Sequence, residues 1–151
     1  VLEWFTKGGF ERLYVVDGVI STDLGIKEDS DLWGVSSKPI GREALDSAGI
    51  NRIQNGIVSG ITGYLIAEGE RRGLEITALL AECNPMYPDA RAALIAIDGL
   101  SDLMDMEIPV QELLEDAKEI EQKVREAFER AQSTALPAPG PDDEDDVPMM
   151  V

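Results

Sequence analysis

The chain has 151 residues, enough for one domain whose core buries roughly 70% of the surface that the unfolded form would expose. Its 30 acidic residues against 13 basic ones give a net charge of −17, which argues against a nucleic-acid partner. There is no histidine and a single cysteine, Cys83, which removes Ser-His and Cys-His nucleophile pairs, the commonest metal ligand and any intrachain disulfide, and fits a reducing compartment. No apolar run reaches membrane-spanning length and none reads as a signal peptide, so a cytoplasmic protein without a membrane partner is expected.

In chain order, Val1 to Thr6 reads as the end of a helix stopped by Lys7-Gly8-Gly9. A strand follows at Arg12 to Val16, with Asp17-Gly18 as its terminator. After the acidic loop Lys27 to Asp31, a strand is expected at Leu32 to Val35, then a short helix from Ile40 to Ala48 with Pro39 at its start and Gly49 at its end. Another strand is expected near Ile53, and Ile57 and Val58 read as a strand running into the tight turn Ser59 to Gly63. Tyr64 to Arg72 is a short one-sided helix that Gly73 stops. Leu74 to Ala81 is a nearly continuous apolar run, which suits a parallel strand covered on both faces. Its exit carries Glu82, Asn84, Tyr87, Asp89 and Arg91 around two prolines, and Pro88-Asp89 opens a helix running to Asp105. The alternation predicts an α/β fold, layered α/β/α on a mostly parallel sheet.

A long C-terminal helix is expected from Val110 to Gln132, with apolar residues at Val110, Leu113, Ala117, Ile120, Val124, Ala127 and Ala131. That spacing suits an interchain seam, but Leu114 and Phe128 widen the stripe and favour packing on the chain's own sheet. Beyond Ser133 the composition turns to Ala-Pro-Gly and then Asp142 to Asp146, too polar to fold, which sets residues 134–151 apart from the domain 1–133 as a disordered acidic tail. Without that tail the body is still acidic, and a salt-rich cytoplasm would screen its self-repulsion.

In an open α/β sheet, ligands bind beyond the carboxyl ends of the strands, and Ser59 to Gly63 and Glu82 to Asp89 would share that edge. Backbone amides at Gly60 to Gly63 could cradle a phosphate, with Ser59 and Thr62 adding hydroxyls. No Lys-Ser/Thr follows, so this is not a P-loop; the preferred reading is a tight turn with close helix packing. Glu82 and Asp89 could act as a base or a magnesium-binding pair, whereas the preferred reading makes Asp89 a helix cap and pairs Glu82 with Arg91 or Arg72.

The stretch GIVSGITGYLIAEGERRGLE from Gly56 to Glu75, followed by ALLAE, NP-x-YPD and RAA, resembles the proteasome assembly chaperone 2 family, particularly its archaeal members. The resemblance runs from about Leu13 to Ala131 and rests on Gly60, Gly63, Glu68, Arg72, Gly73, Glu82, Tyr87, Pro88, Asp89 and Ala92. It implies a non-enzymatic, homo-oligomeric binding protein that needs no cofactor and whose partner is the proteasome α-ring or a related ring complex. Members described as relatives of ATP-dependent ligases imply the alternative, a nucleotide-binding enzyme using ATP and magnesium at Ser59, Gly60, Thr62, Gly63, Glu82 and Asp89. The family pattern also places further elements before Val1, so an N-terminally incomplete domain with an exposed sheet edge is expected. Met149, Met150 and Val151 resemble the family's C-terminal docking tail of a hydrophobic residue, a tyrosine and any last residue, with Met150 standing where the tyrosine belongs.

Overall fold

Six consecutive buried residues, Ile76 to Ala81, set the centre of the fold. The computed structural model describes residues 1–20, 31–85 and 89–110, with residues 115, 119, 122–127 and 130 of the C-terminal region. Its elements are α1 (Leu2–Lys7), β1 (Arg12–Ile20), β2 (Leu32–Ser36), α2 (Pro39–Ser47), β3 (Asn51–Arg52), α3 (Gly60–Arg72), β4 (Glu75–Cys83) and α4 (Ala90–Met104). The strands form one sheet in the order β1-β4-β2-β3.

Strand alternation sorts the core into two layers of helices. Ile76 packs with Leu2 of α1 and Leu65 of α3 on one face. Leu79 packs with Leu45, Ile50 and Leu103, and Ala81 with Ala92 and Ala96 of α4, on the other. The expected α/β/α layering follows directly. The sheet itself is mixed: β1 with β4 and β2 with β3 are parallel, while β2 and β4 run antiparallel.

Buried hydroxyls fasten that antiparallel seam. Thr77 Oγ1 donates to Ser36 Oγ at 2.9 Å, Ser36 Oγ to the Ile76 carbonyl at 3.2 Å and Ser37 Oγ to the Leu74 carbonyl at 2.7 Å. Ser37 Oγ also accepts from the Ile76 amide at 2.9 Å, so these polar atoms are buried with partners. Gly41 of α2 lies against them: a Cβ there would come within 2.1 Å of Ser36 Oγ.

Several boundaries differ from expectation. β1 continues through Asp17-Gly18 to Ile20, because its pairing with β4 persists to Ile20 opposite Cys83. Ile57 and Val58 form no strand; β3 is Asn51–Arg52, paired with Trp33 and Gly34, and Ile57 stands in solvent. The turn Gly60 to Gly63 is already the first turn of α3, not a loop before it. Gly73 ends α3 in the left-handed conformation, as expected of a C′ residue. In the C-terminal region, residues 115, 119, 122–127 and 130 are helical, and Val124 and Ala127 are exposed, where packing on the chain's own sheet was expected to cover them. Most of the apolar seam, Tyr87 and the whole of 134–151 lie outside the described residues.

Candidate functional site

The carboxyl ends of β1 and β4 meet the first turn of α3 on one face of the sheet and the first turn of α4 on the other. On the α3 face, the Thr62 hydroxyl donates to Asp17 Oδ2 at 2.6 Å, and Asp17 Oδ1 accepts from the Gly18 amide at 2.9 Å. Thr62 is fully buried, so its hydroxyl serves this bond and is not turned outward. Gly63 sits where a Cβ would lie 2.0 Å from the Val58 carbonyl oxygen, so close backbone approach accounts for that glycine. Gly60 has φ of 69° with open space around it, and it and the N-cap Ser59, whose side chain makes no capping bond, are exposed.

On the α4 face, Asp89 is the N-cap. Its Oδ1 accepts from the amides of Arg91 (3.1 Å) and Ala92 (3.2 Å), and its Oδ2 accepts from the Asn84 amide (3.1 Å) and lies 3.5 Å from the Arg91 guanidinium. With its side chain only 3% exposed, the carboxylate ties the β4 exit to α4 and offsets the positive end of the helix. Glu82 lies within β4 opposite Val19, and its amide donates to the Asp31 carbonyl at 2.9 Å. Strand alternation directs Glu82 to the α3 face and Cys83 to the α4 face, so Glu82 and the Asp89 cap are on opposite sides of the sheet. Arg72 pairs with Glu68, which also holds Arg71; both contacts are 2.7 Å.

Between β1 and α4 lies a cleft of about 450 Å³, lined by Val16, Gly18, Ala81, Cys83, Ala92 and Ala96, with Asn84 and Asp89 at its rim. The Cys83 thiol faces Gly18 there, where an added Cβ would sit 2.7 Å from Sγ. Burial pushes that thiol above its ordinary pKa, and the neighbouring Asp89 and Asp17 carboxylates push the same way, so it is a poor nucleophile at neutral pH. No group of three or more His, Cys, Asp or Glu side chains among the described residues could hold a metal ion. No helix among the described residues is long and apolar enough to cross a membrane.

Sequence reasoning missed Asp17, which it took for a strand terminator. The signal that would have found it is the uninterrupted β-branched run on both sides, Val15-Val16 and Val19-Ile20. The partner-binding candidates Met149, Met150 and Val151 lie outside the described residues.

The model of the PAC2 family matches residues 1–127. Among solved structures, Pyrococcus furiosus PbaA, an archaeal homolog of proteasome-assembly chaperone, superposes with a TM-score of 0.72 at 26% identity, over 87% of this chain and 59% of that one. A PAC2 family protein from Streptomyces avermitilis gives 0.67 at 24% identity over 88% and 57%. Pyrococcus furiosus PbaB, an archaeal proteasome activator, gives 0.68 at 21% over 84% and 55%; at that identity the likeness concerns the fold. The protein MJ0106 of Methanocaldococcus jannaschii is 28% identical over 75 residues, 50% of this chain and 32% of MJ0106. The chain thus spans less than two thirds of each of these relatives.

Proposed function

The chain belongs to the PAC2 family, and from that premise we propose that it is a chaperone-like binding protein of proteasome assembly, not an enzyme, working as a cytoplasmic homo-oligomer. The observation that carries the proposal is the match to PbaA at 26% identity across 87% of this chain. The geometry at the sheet edge supports it: Thr62, Gly63 and Asp89 are each engaged in holding helices to strands. The partner is the proteasome α-ring or a related ring, reached through Met149, Met150 and Val151 at the end of an acidic arm. Several arms on one oligomer raise overall affinity although each tip binds weakly.

Ring binding by the full-length protein, measured with purified proteasome α-rings, tests this. Deleting Met149 to Val151 is expected to abolish association while oligomer mass and thermal unfolding stay unchanged, and Met150→Tyr is expected to tighten it. Undiminished binding by the deletion variant rules out the tail as anchor. Calorimetric titration with ATP and magnesium is expected to show no saturable heat; saturable binding lost on Gly60→Val would replace this reading with the nucleotide-binding enzyme.

A further inference from the structure

Acidic residues make up 30 of the 151, yet none occurs from Ser47 to Ala67, where Arg52 is the single charge. In the fold this span closes α2, forms the edge strand β3, runs through the exposed loop 53–59 and enters α3. Arg52 is itself neutralised by Asp46 at 2.6 Å. Large apolar side chains surface in the same span: Ile57 is 96% exposed, Ile61 65% and Tyr64 56%. Ile61 and Tyr64, three residues apart, share one face of α3, and Ile57 leads into it. Ile57 also lines, with Trp33, Arg52, Ile53 and Val58, a depression of about 560 Å³.

We propose that this apolar face, whose bordering carboxylates among the described residues, Asp46 and Glu68, are each paired with arginine, is where a second copy of the chain docks, each copy presenting the same surface. The inference rests on the homo-oligomeric reading above and gives it a location. Two bodies of net charge −17 repel one another over most orientations. They approach at least cost where few carboxylates must be stripped of water and those at the border are already paired, and depletion of charge with retention of aromatic and branched apolar residues is the composition of an interface core. A patch that meets itself across a two-fold axis needs only to be self-compatible, which an apolar surface whose charges are internally paired is. The cleft beside α4 is the contrasting case: it is apolar inside but carries the Asp89 carboxylate at its rim, which a second copy would bring against its own.

The test is the mass of the full chain by sedimentation equilibrium, across protein concentration and salt, with Ile57→Asp and Tyr64→Asp. Both side chains are exposed in the single chain, so circular dichroism and thermal unfolding are expected to match the parent. The parent is expected to exceed monomer mass and to associate more tightly as salt rises, because screening relieves the repulsion of the bodies. Each variant is expected to raise the dissociation constant about tenfold or more, as for a charge placed in an interface core. If an aspartate variant unfolds, Ile57→Ser, which adds no charge, is expected to weaken association about threefold or more. A monomeric parent at every concentration, or an oligomer indifferent to these variants, overturns the inference. Ring binding that persists in those cases leaves the functional proposal standing, whereas an oligomer sensitive to Ile57→Asp that ignores the ring defeats that proposal alone. A monomer that loses ring binding on Ile57→Asp assigns the face to a different protein and also overturns self-docking.

Discussion

The Thr62 hydroxyl meets Asp17 Oδ2 at 2.6 Å across 45 residues of chain, joining the first turn of α3 to the outer strand β1. The acceptor is a carboxylate and the donor is fully buried, so the bond is of the charge-assisted kind. Thr62→Val keeps the side chain's branched shape and removes the donor. A loss of about 1.5–3 kcal/mol in urea unfolding is expected. A loss under about 0.5 kcal/mol would mean that solvent replaces the hydroxyl without penalty.

The two glycines that open α3 differ in what holds them. At Gly63 an added Cβ would collide with the Val58 carbonyl at 2.0 Å, and backbone cannot swing aside as a side chain can. Gly63→Ala is therefore expected to cost about 3 kcal/mol, the upper end for overpacking. Gly60→Ala meets open space and carries only the left-handed backbone penalty, about 1–2 kcal/mol. Thermal unfolding of the pair separates them by order, Gly63→Ala melting lower. The reverse order would contradict the close approach.

Glu68 is held by the side chains of Arg71 and Arg72, and these hydrogen bonds, the Arg71 pair first, draw its carboxyl down from the ordinary 4.5 to about 2. A depressed carboxylate stabilises the fold fully above its unfolded pKa and loses that effect as pH falls through the folded value. The parent is thus expected to exceed Glu68→Gln in stability at pH 7, with the two melting temperatures converging between about pH 4.5 and 2. A gap that stays constant over that window would show that the carboxylate charge is not its source.

Cys83 gives a chemical readout of the cleft beside α4. Burial and the Asp89 and Asp17 carboxylates hold its thiol above the ordinary value, so alkylation at pH 8 should run more slowly than that of a free thiol and accelerate only at higher pH. Labelling as fast as the free thiol would mean that the cleft opens readily.

The features legible in the sequence are those whose cause lies within a few residues. Asp89 caps the helix that begins one residue later, Gly73 closes α3, and the apolar run from Ile76 to Ala81 identifies a strand covered on both faces. What could not be read depends on partners far along the chain. The Asp17-Gly18 pair looks like a turn until the Gly18 amide is given the Asp17 carboxylate and Thr62 arrives from α3. Ile57 and Val58 have strand-forming side chains, but the edge beside β2 is already taken by Asn51 and Arg52. The antiparallel pairing of β2 with β4 joins residues far apart in the chain, Ser36 opposite Thr77 across 41 residues, and has no local signature. The phosphate alternative counted Thr62 as a hydroxyl donor for the same reason: nothing near it in sequence announces Asp17.

Sheet order has a consequence for how the chain comes into being. β4 lies between β1 and β2 although it is made after both, so β1, once Ile20 has emerged, must wait for Glu75–Cys83 before it has its neighbour. At roughly 5–20 residues per second of synthesis, that interval is on the order of several seconds. Meanwhile β2 can already pair with β3 through the short α2 connection, while the edge of β1 that β4 will take, rich in Val and Ile, stands open to any neighbouring nascent chain. Only Arg12 and Asp17 interrupt that run with charge. The seconds before β4 leaves the ribosome are when this protein is itself most in need of a chaperone.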